Sequence, residues 1–284
     1  MYIAVTLLLL YEKNAVNLDK KAIEYLPADV PMIPNLTKVT VRQLLNHSSG
    51  IPDFVNSSFI EVFNDPYMNK SWKDYLNKYV SNQKSLFPPG KNHHYCNTNY
   101  LLLGLIIERV SGNQLGEAVQ NFLLIPAGLS ATFYKASPNY PKIPAVTDNY
   151  FSHYNDYLQN CTGIQQHFAD IAMGYEGIIA RPDDYLQFLH SLMNGNILQD
   201  STFKIMTECS SSDESNVYGM GILKHGTIYG HSGRSIGTMT CLFHDTTNNT
   251  TFFYASNRGP YCETVMDTLF YSEMYNSLVS ILSH

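Results

Sequence analysis

The chain has 284 residues, 44% of them hydrophobic and 15% charged, with a formal net charge of −6. This is globular composition with ample length for a core, and an acidic balance without any basic cluster argues against a nucleic-acid surface. The five cysteines, Cys96, Cys161, Cys209, Cys241 and Cys262, form no Cys-x-x-Cys pair, so neither a zinc site nor a disulfide framework is indicated.

The first apolar run, from Met1 to Tyr11, has no positive residue ahead of it and no small-x-small site after it, which argues for a buried helix over a signal peptide. It is also shorter than the roughly 20 apolar residues that span a bilayer. No capping residue or polar lead-in precedes it. A turn over 14–19 and a short amphipathic piece stopped by Pro27 follow, and Pro31 and Pro34 force an extended connector. Thr40 is placed to cap a helix over 41–45, which closes into Asn46-His47-Ser48-Ser49-Gly50-Ile51-Pro52. A further helix is expected over 71–79, with Trp72, Tyr75, Leu76 and Tyr79 on one face.

The stretch from Pro88 to Gly112 combines a Pro-Pro-Gly turn, a polar triplet Tyr95-Cys96-Asn97, and an apolar helix from Leu101 to Val110 that ends near Gly112. Another helix is expected over about 115–125. From 127 to 170 the pattern dissolves into Pro, Asn, Tyr and Ser, with Pro138, Pro141 and Pro144 on an extended path, and reads as a functional loop or cleft wall. A turn over 174–177 leads to a helix over 181–189, with proline and acidic residues in its first turn, and a short helix over 201–208 follows. The period then changes. Runs over 217–223, 227–229, 239–243 and 251–254 are rich in β-branched and aromatic residues and suggest an antiparallel meander with Asn248-Asn249 as one hairpin turn. The last element, about 263–282, has helical spacing and should pack on that sheet.

Together these elements predict an α/β (α+β) fold, an antiparallel sheet flanked by helices with an inserted helical lobe. A single domain over 1–284 is expected, its helical lobe at about 37–200 and its sheet lobe at 1–36 and 215–284.

Two short strings carry chemistry. Tyr95-Cys96-Asn97 places a phenol at a rigid helix start, although the triplet alone equally describes a buried helix with a tyrosine near its cap. Tyr229-Gly230-His231-Ser232-Gly233-Arg234-Ser235-Ile236-Gly237 puts a histidine and a hydroxyl on a strand whose backbone could approach a ligand, although alone it also reads as a strand-end turn. Cys96 reads as a small packed side chain. His93-His94 has no His-x-x-x-His companion, so no metal site is expected, and nothing indicates a cofactor.

Taken in order, Leu44 to Pro52 with its Asn-His-Ser-Ser-Gly core, then Pro89-Gly90 with Tyr95 to Tyr100, then Gly230-His231-Ser232-Gly233, resemble the serine β-lactamase and penicillin-binding-protein-like family. The likeness covers essentially the whole chain and is strongest to the class C, D,D-peptidase and esterase branch. It implies a substrate between two lobes, with Tyr95 as general base, Asn97 holding the substrate amide, and His231 with Ser232 receiving a carboxylate or leaving group. Backbone N–H groups beside Gly233, chiefly that of Arg234, would supply half of an oxyanion hole. A phenol of ordinary pKa about 10 must be depressed by nearby positive charge to act as such a base.

The departure from the family pattern is the nucleophile. The serine of Ser-x-x-Lys opens a helix whose continuation the first nineteen residues resemble, starting just after the lysine position. The expectation is therefore a chain truncated ahead of that motif, lacking the first sheet strands and catalytically inactive. Ser81 to Lys84 and Ser201 to Lys204 match the motif by letter without heading such a helix. A non-catalytic binding or interaction protein is the alternative. The family implies a β-lactam, a D-amino-acid peptide or an ester as ligand, and His rather than Lys at position 231 leans toward peptidase or esterase. An uncapped helix and open sheet edges imply self-association.

Overall fold

The computed structural model describes residues 1–55, 71–135, 146–152, 158–171, 173–209, 217–235 and 237–260. The expected C-terminal helix over 263–282, Cys262 and the prolines at 138, 141 and 144 lie outside the described residues.

The opening apolar run forms helix α1, Tyr2–Glu12, buried at Tyr2, Ile3, Ala4, Val5, Thr6, Leu7, Leu8 and Leu10. A helix that is apolar nearly all round belongs inside a protein, and α1 is enclosed by later elements. Helix α2, Val41–Leu45, begins with the capping box that its sequence announces: Gln43 N–H donates to Thr40 Oγ1, and the Gln43 side chain receives Thr40 N–H. Helix α3, Trp72–Tyr79, is capped in the same way by Ser71 and Asp74. Helix α4, Asn97–Ser111, is longer than its apolar segment and ends at Gly112, whose φ of 69° permits the left-handed closure. Helix α5, Leu115–Val119, runs on into a π-helical turn, Gln120–Leu124. Helix α1 packs against α4, α5 and that turn.

The stretch from 127 to 170 is more regular than expected. It holds strands β1 (Thr132–Tyr134), β2 (Tyr150–Ser152) and β3 (Leu158–Asn160) and helix α6 (Thr162–Ile171). Strands of three residues are too short to display a period of two, which is why the sequence hides them. Strand β4, Ile178–Ala180, pairs antiparallel with β1. Helix α7, Pro182–Met193, has Arg181 as its N-cap and proline in its first turn, and helix α8 spans Asp200–Thr207.

The meander is a five-stranded antiparallel sheet in the order β5 (Val217–Tyr218), β6 (Leu223–His225), β7 (Ile228–Ser235), β8 (Thr238–Asp245), β9 (Thr250–Ser256). Strand β10, Arg258–Pro260, leaves that sheet to run parallel to β2, which pairs in turn with β3. Strand β7 is much longer than the run over 227–229, because its glycines are packing residues here. A Cβ at Gly230 would collide with the Leu242 carbonyl oxygen on β8.

The two faces of this sheet are distinct. Leu242 and Phe253 join the main core, which runs without a break from Tyr2 on α1 to Leu242. Ile228, Cys241 and Phe243 form a small cluster on the other face with Leu223, Phe252 and Tyr254. An aromatic stack ties α1 and α7 to the sheet: Tyr2 on Phe188 at 4.0 Å, and Tyr185 on Phe253 at 4.7 Å. Phe188 is fully buried at this junction. Phe188→Ala is therefore expected to cost about 3–5 kcal/mol, read as a lowered urea midpoint, with Phe188→Leu costing clearly less.

Candidate functional site

Helix α4 has no capping side chain at Cys96, and the turn after α2 supplies what it lacks. The Asp53 carboxylate receives the Asn97 backbone N–H at 3.0 Å and the Asn97 Nδ2 amide at 2.8 Å, acting as a cap from far along the chain. Phe54 N–H donates to Thr98 Oγ1 at 2.9 Å, and that hydroxyl donates to the Pro52 carbonyl oxygen. Ser49 Oγ donates to Asn99 Oδ1 at 2.7 Å, and the Tyr100 hydroxyl donates to the Leu45 carbonyl oxygen at 3.1 Å. The Cys96 backbone N–H donates to Nδ1 of the wholly buried His47 at 3.2 Å. A backbone N–H can only donate, so a neutral His47 carries its proton on Nε2. That Nε2 is buried without a hydrogen-bond partner among the described residues.

This clamp holds Tyr95 over His47, the ring centroids 4.4 Å apart, with Tyr100 stacked on His47 at 5.1 Å. Strand β7 brings His231 to 6.0 Å from the Tyr95 ring, and β5 brings Tyr218 to 4.9 Å from His47 and 5.5 Å from His93. Tyr218 Oη lies 3.0 Å from His231 Nε2, and His231 Nδ1 contacts the Ser232 carbonyl oxygen. Tyr95 and His231, distant in sequence, are thus neighbours in one aromatic cluster.

Register separates the other predicted residues from them. Directly opposed residues of an antiparallel pair project to the same face. His231 opposes Leu242, on the core side, whereas Ser232 opposes Cys241, on the far side. Arg234 lies on the Ser232 face by alternation, opposite Met239. Gly233 stands opposite Thr240, where a Cβ would press on Thr240 Oγ1. At the end of β7, Ser235 Oγ lies 2.6 Å from Glu176 Oε1, which also receives Gln165 Nε2 at 2.5 Å. Of the letter matches to the nucleophile motif, Ser81 donates to the Leu76 carbonyl oxygen after α3 and Ser201 is an exposed residue of α8.

The electrostatics correct one expectation. Positive charge was expected to depress the Tyr95 phenol, and it is instead pushed up to about 12, first by burial and then by the nearby Asp53 and Cys96 side chains. Tyr95 keeps 46% of its surface open, which tempers the magnitude and leaves the direction unchanged. His231 is pushed down to about 3 by burial and by the Met1 amino group, and burial also lowers His47 and His93. Tyr218 and Cys96 are raised, again chiefly by burial. The cluster is therefore an assembly of neutral rings near neutral pH. No group of three or more His, Cys, Asp or Glu among the described residues could hold a metal ion.

His47, Asp53 and Tyr218 join the site beyond the residues expected from the sequence. His47 stands within the Asn-His-Ser-Ser-Gly string and Asp53 just after Ile51-Pro52, so both carry a local signal. Tyr218, on a two-residue strand, had none.

The beta-lactamase family model matches residues 1–269. The chain belongs to the beta-lactamase family. The family is one of serine hydrolases. The chain is 26% identical to Penicillin-binding protein 4* of Bacillus subtilis over 273 residues, 90% of this chain and 58% of that protein. Putative penicillin-binding protein PbpX of the same organism is 26% identical over 272 residues, 90% of this chain and 62% of that protein. The chain thus spans about three fifths of the length of these curated relatives. Among solved structures, D-stereospecific amidohydrolase from Streptomyces sp. superposes with a TM-score of 0.75 at 25% identity, over 90% of this chain and 79% of that one.

In this beta-lactamase-family chain Asp53 both caps α4 and carries an unfavourable buried charge. Burial raises its pKa against four N–H contacts that lower it, from the Asn97, Val55 and Thr98 backbones and the Asn97 side chain. A raised carboxyl favours the folded state fully only below its ordinary pKa, and that contribution is lost as pH rises through the folded value. The stability of the wild type relative to Asp53→Asn is therefore expected to increase as pH falls from 7 toward 4, measured by urea titration at each pH.

Proposed function

We propose that the aromatic cluster is the ligand site of a β-lactamase-related serine hydrolase scaffold, built for amide, lactam or ester ligands. Tyr95, Asn97 and His231 form its reactive side. The β7 backbone from Ser232 through Gly233 to Arg234 forms the rail along which a ligand aligns, with the Arg234 N–H as one half of an oxyanion hole. The observation that carries this reading is the 6.0 Å approach of the Tyr95 and His231 rings, contributed by the helical and sheet regions. The continuous core, which reaches from α1 to Leu242 and Phe253, supports one domain. Strands β5 and β9 end the five-stranded sheet, and self-association through such an edge belongs to the same proposal.

Within the 284 residues, no Ser-x-x-Lys heads α1, the helix start that the family resemblance assigns to the nucleophile. We propose that this polypeptide does not turn substrate over. A specific observation also favours a second reading, binding without catalysis. With Tyr95 pushed up and His231 pushed down, neither of these two groups suits general-base work near neutrality.

The experiment is direct. The purified polypeptide is incubated with a fluorescent penicillin and a fluorophosphonate and its intact mass is read. No adduct is expected, and a covalent adduct on any serine would overturn the claim of inactivity. Tyr95 ring signals followed by NMR against a small acylamino ester are expected to shift in a saturable way, and their failure to move would reject the site itself.

A further inference from the structure

We infer that Glu176, Gln165 and Ser235 form a subsite for a primary ammonium group carried on the acyl part of the ligand, at the end of the β7 rail remote from His231. The inference deepens the reading above and rests on it for a ligand lying along β7. Alternation along the strand puts His231, Gly233 and Ser235 on one face, with Ser232 and Arg234 on the other. At a rise of about 3.3 Å per residue, Ser235 lies roughly 7 Å beyond Gly233. A ligand seated beside His231 and Gly233 therefore reaches Ser235 with a short chain.

The group at that end is rich in acceptors. Gln165 Nε2, on α6, donates to Glu176 Oε1 at 2.5 Å, and Ser235 Oγ lies 2.6 Å from the same oxygen. Ser235 Oγ also lies 3.1 Å from Gln165 Oε1, but a hydroxyl has one proton, and the nearer carboxylate oxygen takes it. Glu176 Oε2 and Gln165 Oε1 are then left without a donor among the described residues, and the Ser235 oxygen keeps its lone pairs. No ion pair reaches Glu176 among the described residues. Lys135, held beside the loop by the bond from its N–H to the Gly177 carbonyl oxygen, directs its ammonium to Asp170 at 2.6 Å instead. The titratable side chains acting on Glu176 are the Tyr75, Tyr134 and Tyr175 phenols, none of them a cation. Burial raises the Glu176 carboxyl against the Ser235 and Gln165 bonds, so a cation at Oε2 would relieve a charge that the fold leaves uncompensated.

Separate parts of the fold hold the three side chains. Gly174 N–H donates to the Tyr134 hydroxyl at 2.8 Å, and Tyr175 sets its ring edge-on to Phe54 at 4.9 Å, which fixes the loop before β4. Gln165 N–H donates to the Cys161 carbonyl oxygen at the head of α6. The β7–β8 turn is packed so closely that a Cβ at Gly237 would strike Cys161 Sγ. A frame set in advance in this way loses little freedom on binding. Glu176, Gln165 and Ser235 each keep part of their surface open, so a ligand can approach them. An ammonium brings three N–H donors on one centre and matches these acceptors, whereas a carboxylate or carbonyl brings only further acceptors.

The test uses the 284-residue polypeptide. Its probes are 4-aminobutanoyl-D-alanine methyl ester and the N-acetyl derivative, which share the spacer and the ester and differ in the terminal charge. Both are titrated at pH 7 against Tyr95 ring signals and against the 13C carboxyl signal of Glu176, assigned with Glu176→Gln. The free amine is expected to bind about tenfold more tightly or better, a factor worth about 1.4 kcal/mol. It is also expected to move the Glu176 signal, which the acetyl compound leaves in place. Glu176→Gln is expected to abolish the difference by weakening the amine alone. Equal affinities for the wild type, or an amine preference that survives Glu176→Gln, would overturn the subsite while the ligand site stood. If neither compound moves Tyr95, the site reading fails and the subsite falls with it. Should Glu176→Gln not fold, Ser235→Ala takes its place: it is expected to shrink the amine preference, and an undiminished preference rejects the subsite.

Discussion

The start of α4 is held by the turn that follows α2, and the rest of the site depends on that clamp. A helix whose first residues lack a capping side chain leaves N–H groups without partners. Here Asp53 receives the Asn97 N–H, and the Thr98 hydroxyl ties the helix start to the turn by accepting from Phe54 N–H and donating to the Pro52 carbonyl. Each such bond is worth about 1 kcal/mol net, and the cost of breaking one is greater, because the groups are buried. The same set of contacts fixes His47 under Tyr95, so the fold's solution to a capping problem also orients the candidate reactive phenol.

The sheet supplies the second half. Strand β7 can bring His231 to Tyr95 because α1 is sandwiched between α4 and the remainder of the core, and because α7 seats the sheet against α1 through Phe188 and Tyr2. The register of β7 against β8 then decides which of its residues share a face with Tyr95. His231 does, and the side chains of Ser232 and Arg234 do not. A one-residue slip would exchange those two sets, so the buried Leu242 and Phe243 that pin the register are as much a part of the site's chemistry as the histidine.

Burial then sets the electrical character of the site. The buried His47 and Tyr218 rings crowd against His231 and the half-exposed Tyr95, and in such surroundings ionisable groups move toward their neutral forms. The phenol rises and the imidazoles fall, which is opposite to what general-base action at Tyr95 would need.

The sequence by itself determined the family, the helical positions with strong caps, and the two strings that meet in the site. Thr40, Ser71, Pro182 and Gly112 act locally, so their signals survive in one dimension. Four runs of the meander were legible for the same reason, and the strand β7 was underestimated because Gly230 and Gly233 look like turn residues until β8 is packed against them. Strands of three residues and the two-residue β5 carry no period, so Tyr218 came into view only with the fold. Only tertiary structure decided that Asp53 caps α4, that Tyr218 rather than Tyr95 bonds His231, and that the phenol is raised rather than lowered. Those outcomes depend on distances between residues far apart in the chain and on how much water their packing removes, and neither quantity is written in local sequence.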